Sequence, residues 1–198
     1  MQEYTAKRCN GMPQWSDIPY AEISFSPLEF DANITAQAQL CYDQDALHIR
    51  LSAREEHIRA ELTGQFDEVC EDSCLEFFFC PVASEKRYIN IECNPNGSLF
   101  LGIGTHIGDL IRLTPEDFPI TPTAQRIDDG WETVYTIPYT LIRKFFPSFS
   151  PTPKSVMRAN FYKCGDKTLI PHYLSWNPIP TEPLTFHNPN AFGVIHFE

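Results

Sequence analysis

One short segment of the sequence alternates strictly between apolar and polar side chains. Because the side chains of a β-strand point alternately to opposite faces, the segment predicts a strand with an apolar inner face and a polar outer face. A tyrosine, two amides and a carboxylate in a row form a rigid set of donors and acceptors that suits sugar hydroxyls. An ordinary solvated strand face explains the composition equally well. The apolar positions are Ile89, Ile91 and Cys93, and the polar positions are Tyr88, Asn90, Glu92 and Asn94.

A carboxylate interrupts the apolar stripe of a second predicted strand. Glu76 shares one face of this strand with Cys74, Phe78 and Cys80. Burying a charged carboxylate is costly unless a cation or several donors meet it. Glu76 therefore either pairs with an arginine inside the protein or points into a ligand pocket beside the sheet, and both interpretations remain open.

A tryptophan near the C-terminus is a third candidate. Trp176 ends a predicted strand and precedes a proline-rich loop. An indole in this position is often partly exposed, so we expect Trp176 to present a flat apolar plate on which the C–H bonds of a pyranose can stack. Packing in the core is the alternative. The nearby His172 and His187 could bind a metal, although structural histidines are the commoner outcome.

Metal ligands are only weakly indicated. Four acidic residues in one loop supply oxygen ligands that calcium prefers, but they follow no fixed calcium-loop spacing, so calcium is possible and not required. The seven cysteines are an odd number and most lie in apolar runs, which predicts reduced core residues. They contain no C-x-x-C pair, which disfavours a zinc site. The weak calcium candidates are Asp67, Glu68, Glu71 and Asp72.

These residues need a framework of many short strands. Seventeen prolines and nine glycines punctuate the 198 residues, and 42% hydrophobic content is enough for one sizeable core. We predict a single domain over residues 1–198, mainly β, built as an antiparallel two-sheet β-sandwich with one or two short helices. Only residues 137–146 have helical spacing. The predicted strands are 22–25, 36–42, 46–53, 74–80, 87–93, 98–103, 123–127, 131–137, 156–162, 172–176 and 192–197.

The charge of the chain restricts its partners. A net charge of -11 with only fifteen dispersed basic residues disfavours binding to nucleic acid or to an anionic membrane. The N-terminus lacks the apolar run of a signal peptide, and no segment is long and apolar enough to span a membrane. We expect a cytoplasmic protein, and an extracellular one only if a targeting segment is missing.

Taken together in chain order, these motifs resemble the family 9-like carbohydrate-binding modules. The resemblance is carried by Trp15, by the runs at 72–78 and 88–94 with Gly97, and most specifically by 174–176 and 186–193. It implies a β-sandwich that binds mono- or oligosaccharides, with the sugar held between two tryptophans and calcium ions supporting loops.

The resemblance also implies roles for individual residues. Trp176 is similar to one of the two tryptophans, Glu76 to the carboxylate that hydrogen-bonds the sugar, and the strand of Asn90 and Glu92 to the one that supplies further polar contacts. The stretch just before the Glu76 strand contains no tryptophan, and Phe66 is the candidate to substitute for it; Asn90 stands where the family has an arginine. The predicted carbohydrate-binding residues are Trp176, Glu76, Asn90, Glu92, Asn94, Tyr88 and His172.

Three alternatives to non-catalytic sugar binding remain open. Glu76 and Glu92 on neighbouring strands could form a glycosidase pair, which needs two carboxyl groups across a cleft. Cys164 and His172 could form a thiol dyad, although such a pair without structural context is usually coincidence. The polar face and Trp176 could instead engage a protein partner, such as a glycan-processing enzyme. We expect carbohydrate as the ligand and no enzymatic activity.

Overall fold

The computed structural model describes residues 1–30 and 33–198. Its strands are β1 (Glu3–Arg8), β2 (Ala21–Ile23), β3 (Thr35–Tyr42), β4 (Ala46–Arg54), β5 (Cys74–Cys80), β6 (Tyr88–Cys93), β7 (Leu99–Gly104), β8 (Ile111–Arg112), β9 (Thr123–Ile127), β10 (Gly130–Pro138), β11 (Val156–Cys164), β12 (Tyr173–Ser175) and β13 (Gly193–Phe197). The α-helix α1 spans Tyr139–Phe145, and short 3-10 helices lie at Trp15–Asp17, Val69–Glu71, Ile107–Asp109 and Pro189–Ala191. All eleven predicted strands are present, as is the predicted helix, so the mainly β prediction is confirmed.

Turn residues position the hairpins as expected. The segments around Asp43, Asn94 and Asp129 join β3 to β4, β6 to β7 and β9 to β10, and each pair is antiparallel. Asn94 accepts the backbone N–H groups of Asn96 and Ser98, which closes the turn between β6 and β7. This turn fixes the register of β7 on β6.

The predicted antiparallel two-sheet sandwich is not confirmed, because the strands form one mixed sheet. Their order is β8-β7-β6-β5-β11-β13-β1-β3-β4-β10-β9, with β12 on β11 and β2 on β3. β1 pairs in parallel with β13 through residues 3–6 and in parallel with β3 through residues 7–8. One short strand that the sequence analysis did not predict therefore connects the two halves, and the sheet curls into a half-barrel.

The concave face of the curled sheet carries the main core. Phe77 and Ile91 from one half belong to the same buried cluster as Leu51 and Trp131 from the other half. Large aromatic side chains fill this layer, and Phe77 stacks on Phe79 with ring centroids 4.6 Å apart. Burial of this face requires one register for every strand, since a slip by one residue would turn the apolar set outward.

The opposite face of β5, β6 and β11 is also buried. Phe78, Tyr88 and Tyr162 on this face pack against Ile179 and Phe192 from the C-terminal segment, residues 177–192. The expectation that the polar row of β6 faces solvent is wrong, because Tyr88, Asn90, Glu92 and Asn94 are all at most 5% exposed. Strand alternation separates the two faces correctly, but it does not tell which faces a later segment covers.

Among the described residues, no helix is long and apolar enough to cross a membrane.

Trp176 lies in the main core, which corrects the expectation of an exposed plate. Its side chain is 5% exposed, and its ring packs edge-on against Tyr4 at 6.5 Å and at a tilt against Phe161 at 5.7 Å. A Cβ atom on Gly193 would lie 2.6 Å from the indole ring, so the backbone of β13 approaches the tryptophan closely. Trp176 joins the C-terminal segment to the core.

We expect Trp176→Ala to lower the free energy of unfolding by about 3–5 kcal/mol, because it leaves a large cavity in the core. Urea denaturation followed by tyrosine fluorescence or circular dichroism measures this change. The control is Leu169→Ala, which removes a side chain that is 72% exposed and should change stability by less than about 0.5 kcal/mol. A stability loss no larger than that of the control would contradict the core position of Trp176.

Candidate functional site

A pocket of about 360 Å³ opens on the outer face of β5, β6 and β11, beside the C-terminal segment. Two carboxyl groups, a thiol and three aromatic rings are among the groups that line it. β5, β6 and β11 supply the carboxyl groups and the thiol from a rigid surface. The aromatic rings come from β7, β12 and the C-terminal segment. The residues concerned are Glu76, Glu92, Cys164, Phe100, Tyr173 and Phe186.

The floor of the pocket is a pair of buried carboxyl groups. Glu76 on β5 lies directly opposite Glu92 on β6 in the antiparallel register, and the two side chains are 2% and 5% exposed. Directly opposite residues have Cβ atoms about 4.5–5.5 Å apart, so the two carboxyl groups are neighbours. The sequence analysis placed Glu76 on an otherwise apolar strand face and Glu92 in a polar row, and the register brings the two residues together.

Burial controls the protonation of this pair. Loss of solvation raises the pKa of Glu76 to about 8. Loss of solvation, reinforced by the neighbouring charge of Glu76, raises the pKa of Glu92 well above its ordinary value. Because two adjacent buried carboxylates repel each other, the pair retains a proton near neutral pH. The floor therefore offers a hydrogen-bond donor as well as acceptors.

Neighbouring side chains hold the two carboxyl groups in place. The Cys164 thiol on β11 donates to Glu76 Oε1 at 2.9 Å, and Asn90 Nδ2 donates to Glu92 Oε1 at 2.8 Å. Asn90 is fully buried behind the floor and orients Glu92 instead of lining the pocket. The carboxyl oxygens that remain without these partners are available to a ligand.

Aromatic rings form the walls. Phe186 stacks on Tyr162 with centroids 4.1 Å apart, which fixes its ring beside the pocket, and Tyr173 meets Phe186 edge-on at 6.2 Å. Phe100 is covered by the guanidinium of Arg112, 4.1 Å from the ring centroid. The three wall residues Phe100, Tyr173 and Phe186 are half-buried, so part of each ring remains accessible.

Sequence reasoning did not select these aromatic residues. A signal for Phe100 existed, because the turn at Asn94–Gly97 implies the register that pairs Phe100 with Glu92. Phe186 and Tyr173 gave no such signal, since the path of a long C-terminal segment is not encoded in strand alternation. Phe66, the expected substitute for a second tryptophan, lies outside the pocket lining, with its exposed ring 5.4 Å from the Arg112 guanidinium.

The histidine that lines the pocket is His187. Its Nδ1 is 2.7 Å from the Tyr88 hydroxyl, so Tyr88 supports the pocket from behind. Burial lowers the pKa of His187 to about 4, and the ring is neutral at pH 7. A neutral imidazole with one nitrogen engaged leaves the other to donate to or accept from a ligand.

Asn94 and the acidic loop residues have structural partners. Asn94 donates to the Leu62 carbonyl and to the Asp72 carboxylate, both at 2.8–2.9 Å. Asp72 also accepts the backbone N–H groups of Glu61 and Leu62 and lies 3.2 Å from the Arg59 guanidinium. Asn94 therefore closes a turn and anchors a loop.

The other three calcium candidates are also engaged. Asp67 accepts from the Gly64 N–H at 2.7 Å, Glu68 lies 3.2 Å from Arg112, and Glu71 lies 2.8 Å from Lys167. Within residues 1–30 and 33–198, the acidic four do not bring three ligand atoms together, whereas Cys74, Glu76 and Cys164 do. The loop is held by pairs with N–H groups and cations.

His172 lies on the other face of β11, and its proposed dyad with Cys164 is wrong. The Lys163 ammonium donates to His172 Nε2 at 2.7 Å, and His172 Nδ1 donates to the Ile170 carbonyl at 2.8 Å. Adjacent residues of a strand point to opposite faces, so Lys163 meets His172 while Cys164 meets Glu76. His172 therefore does not reach the pocket.

Lys163 forms a buried ion pair with Glu55. Its ammonium lies 3.2 Å from Glu55, which also accepts from Trp131 Nε1 at 2.7 Å and from the Ser73 hydroxyl at 2.9 Å. Lys163 and Glu55 are 0% and 4% exposed, and a buried pair is tolerated when its remaining polar atoms are satisfied in this way. Glu55 and His172 of this network also line a second, larger cleft.

The larger cleft measures about 820 Å³ and includes Glu55, Arg126, Asp128 and His172. No Phe, Tyr or Trp side chain is found among the described residues that line it. Its buried charges are already paired with one another. The smaller pocket, with aromatic walls and a floor of two carboxyl groups, is therefore the stronger candidate for a ligand site.

The sequence and the fold of this chain match known proteins. The profile of carbohydrate-binding family 9 matches residues 14–197. A Bacteroides uniformis protein provisionally assigned as carbohydrate-binding superposes with a TM-score of 0.86 at 26% identity, covering 100% of this chain and 99% of that one. A search of curated protein sequences finds no significant match.

Two further structures share the fold. A family 9 carbohydrate-binding module from Caldicellulosiruptor kristjanssonii in complex with cellotriose superposes with a TM-score of 0.69 at 11% identity, covering 100% of this chain and 94% of that one. The same kind of module from that organism in complex with glucose gives 0.68 at 11% identity, covering 100% and 96%.

The position of His172 predicts a pH dependence of stability. Burial and the adjacent Lys163 charge lower its pKa to about 4, whereas the unfolded chain has about 6.5. Between these values the unfolded state binds more protons, so stability falls by up to about 3 kcal/mol as the pH drops from 6.5 to 4. In urea denaturation, His172→Gln should reduce the pH dependence of the free energy of unfolding. His187, whose pKa is also lowered by burial, should supply part of the pH dependence that remains. The exposed His57→Gln is the control, and equal slopes in all three proteins would contradict a buried neutral His172.

Proposed function

This chain belongs to carbohydrate-binding family 9, and on that premise we propose that it binds a mono- or oligosaccharide without altering it, in the pocket floored by Glu76 and Glu92. The premise supports sugar as the ligand class. The Caldicellulosiruptor modules with this fold are complexed with glucose and cellotriose. The pocket supports the location.

The observation that carries the proposal is the carboxyl pair beneath aromatic rings. Glu76 and Glu92 face each other across the β5–β6 ladder, retain a proton between them and are almost fully buried. Vicinal hydroxyls of a pyranose each donate and accept, so a floor that does both matches them. Hydrogen bonds to a partly charged, desolvated acceptor are stronger than neutral ones.

The walls complete the match to a sugar. The C–H bonds of a pyranose form apolar patches that pack on aromatic rings, and Phe186 and Tyr173 present ring surface at one side of the pocket with Phe100 at another. His187 adds a neutral ring nitrogen near the rim. The stacking role that the sequence assigned to Trp176 thus passes to smaller aromatic residues.

The same geometry argues against glycoside hydrolysis. A glycosidase needs its two carboxyl groups on opposite sides of the scissile bond, about 5–10 Å apart. Glu76 and Glu92 emerge side by side from one sheet face, so both approach a ligand from below. We therefore expect the two carboxyl groups to bind hydroxyls of the ligand and not to flank a glycosidic bond.

We expect Glu92→Gln to weaken binding of glucose or cellotriose about tenfold, because the amide NH2 group replaces a carboxyl oxygen and a hydroxyl that donates to that oxygen loses its acceptor, at a cost of about 1–3 kcal/mol. Isothermal titration calorimetry in EDTA measures the affinity and tests at the same time whether calcium is dispensable. The matched control is Glu56→Gln at the exposed edge of the larger cleft, which should bind like the wild type. Loss of binding in the control alone would place the ligand in the other cleft.

Phe186→Ala should weaken sugar binding by about 5- to 10-fold, corresponding to a stacking contribution on the order of 1 kcal/mol. The comparison variant is Phe66→Ala, whose ring lies outside the pocket lining and whose loss should leave affinity within twofold. The same calorimetric titration is used for both. Loss of affinity in Phe66→Ala with none in Phe186→Ala would reverse the assignment of the aromatic wall.

A further inference from the structure

Two thiols and one carboxyl group converge at the inner end of the pocket. Cys74 and Glu76 lie two residues apart on β5 and share its outer face, and Cys164 lies opposite Cys74 in the register with β11. One potential ligand atom from each of the three lies within 4.8 Å of the other two. Cys164 Sγ is 2.9 Å from Glu76 Oε1.

The surroundings of these three residues favour a cation. Glu92 lies beside Glu76, and Asp166 lines the same pocket, so several acidic groups face one small volume. The adjacent ammonium of Lys163 points to the other face of β11, where Glu55 and His172 engage it. Burial of acidic groups without a nearby cation is unfavourable, and a bound divalent ion would offset that cost.

We propose that Cys74, Glu76 and Cys164 form a zinc-binding site whose fourth coordination position opens into the pocket. Two thiolates and a carboxylate are ligands that zinc prefers, and three protein ligands with one open position are typical of an accessible zinc site. Bond lengths of about 2.3 Å to sulfur and 2.0–2.2 Å to oxygen require ligand atoms about 3.5–3.8 Å apart. All three ligand atoms already lie within 4.8 Å of one another, and Cys164 Sγ, now 2.9 Å from Glu76 Oε1, would have to move away from it to reach these values.

The ion reaches the site through the pocket. Glu76 and Cys164 line the pocket directly, while Cys74 lies behind them and is fully buried. Cys70 also lines the pocket, and its carbonyl oxygen lies 3.8 Å from Cys164 Sγ. Binding deprotonates both thiols, so it releases protons.

The zinc site and the proposed sugar site share Glu76. Zinc coordinated by this carboxylate removes a hydrogen-bond acceptor from the floor and fills part of the pocket, so the two ligands exclude each other. The affinity of each should fall when the other is present, by the same factor. The zinc site itself does not depend on sugar binding.

Cobalt is the probe for this site, because Co²⁺ bound to thiolates in tetrahedral geometry gives a sulfur-to-metal charge-transfer band and intense visible bands. The full chain is reduced, freed of metal with a chelator and titrated with Co²⁺, and then with Zn²⁺ to displace it. We expect one equivalent of Co²⁺ to produce both bands and one equivalent of Zn²⁺ to remove them. Absence of the charge-transfer band in folded, reduced protein overturns the proposal.

Variants locate the ligands. Cys164→Ser and Cys74→Ser should each weaken Zn²⁺ binding by at least 100-fold, whereas Cys80→Ser, on the same face of β5 but outside the cluster, should not change it. Circular dichroism confirms that each variant is folded, and Glu76→Gln serves if a serine variant is not. Equal Zn²⁺ affinity in Cys164→Ser and Cys80→Ser overturns the assignment.

Sugar titrations separate this proposal from the preceding one. Zinc-free protein that binds cellotriose but not Zn²⁺ excludes the metal site alone. Protein that binds Zn²⁺ through Cys164 but no sugar excludes the proposed function alone and leaves the metal site supported.

Discussion

Strand β5 is buried on both faces and paired along both edges, and its register determines what the rest of the molecule can do. All seven of its residues are buried. On the inner face, Leu75, Phe77 and Phe79 pack into the main core. A shift of one residue would drive these side chains out of the core, so the register is strongly specified. Residues 74, 76 and 78 are therefore held on the outer face.

Pairing on both sides of β5 then assembles the pocket. β6 brings Glu92 opposite Glu76, and β11 brings Cys164 opposite Cys74. The C-terminal segment covers most of this face with Ile179 and other apolar side chains, but leaves the region of the two carboxyl groups open. The fold therefore keeps two carboxyl groups buried, although their burial is energetically unfavourable. Perturbed acids in a lined pocket are a feature of functional sites more than of structural ones.

The sequence predicted the strands well, because alternation and turn residues are local signals. Alternation also singled out Glu76, which interrupts an apolar stripe, and Glu92, which belongs to a polar row whose composition suits sugar hydroxyls. The connecting role of β1 was missed because its six residues carry a short, largely polar pattern. That strand decides between two separate sheets and one curled sheet, so the predicted sandwich did not follow.

The errors at the candidate site have a common cause. Trp176 was expected at the surface and His172 among the sugar-binding residues, but exposure and proximity depend on long-range packing. Trp176 is closed over by β13, whose Gly193 leaves room for the indole. The thiols of Cys74 and Cys164 are 90 residues apart in the chain, so no local spacing could have indicated that they meet.

Two-dimensional amide NMR of the ¹⁵N-labelled protein during titration with cellotriose tests the location of the sugar site most directly. Binding in the proposed pocket predicts saturable shift changes on β5, β6 and residues 184–187, with little change around Arg126 and Asp128 in the larger cleft. Changes centred on the larger cleft, or no saturable change in folded protein, would contradict the assignment of Glu76 and Glu92 as the floor of a carbohydrate site.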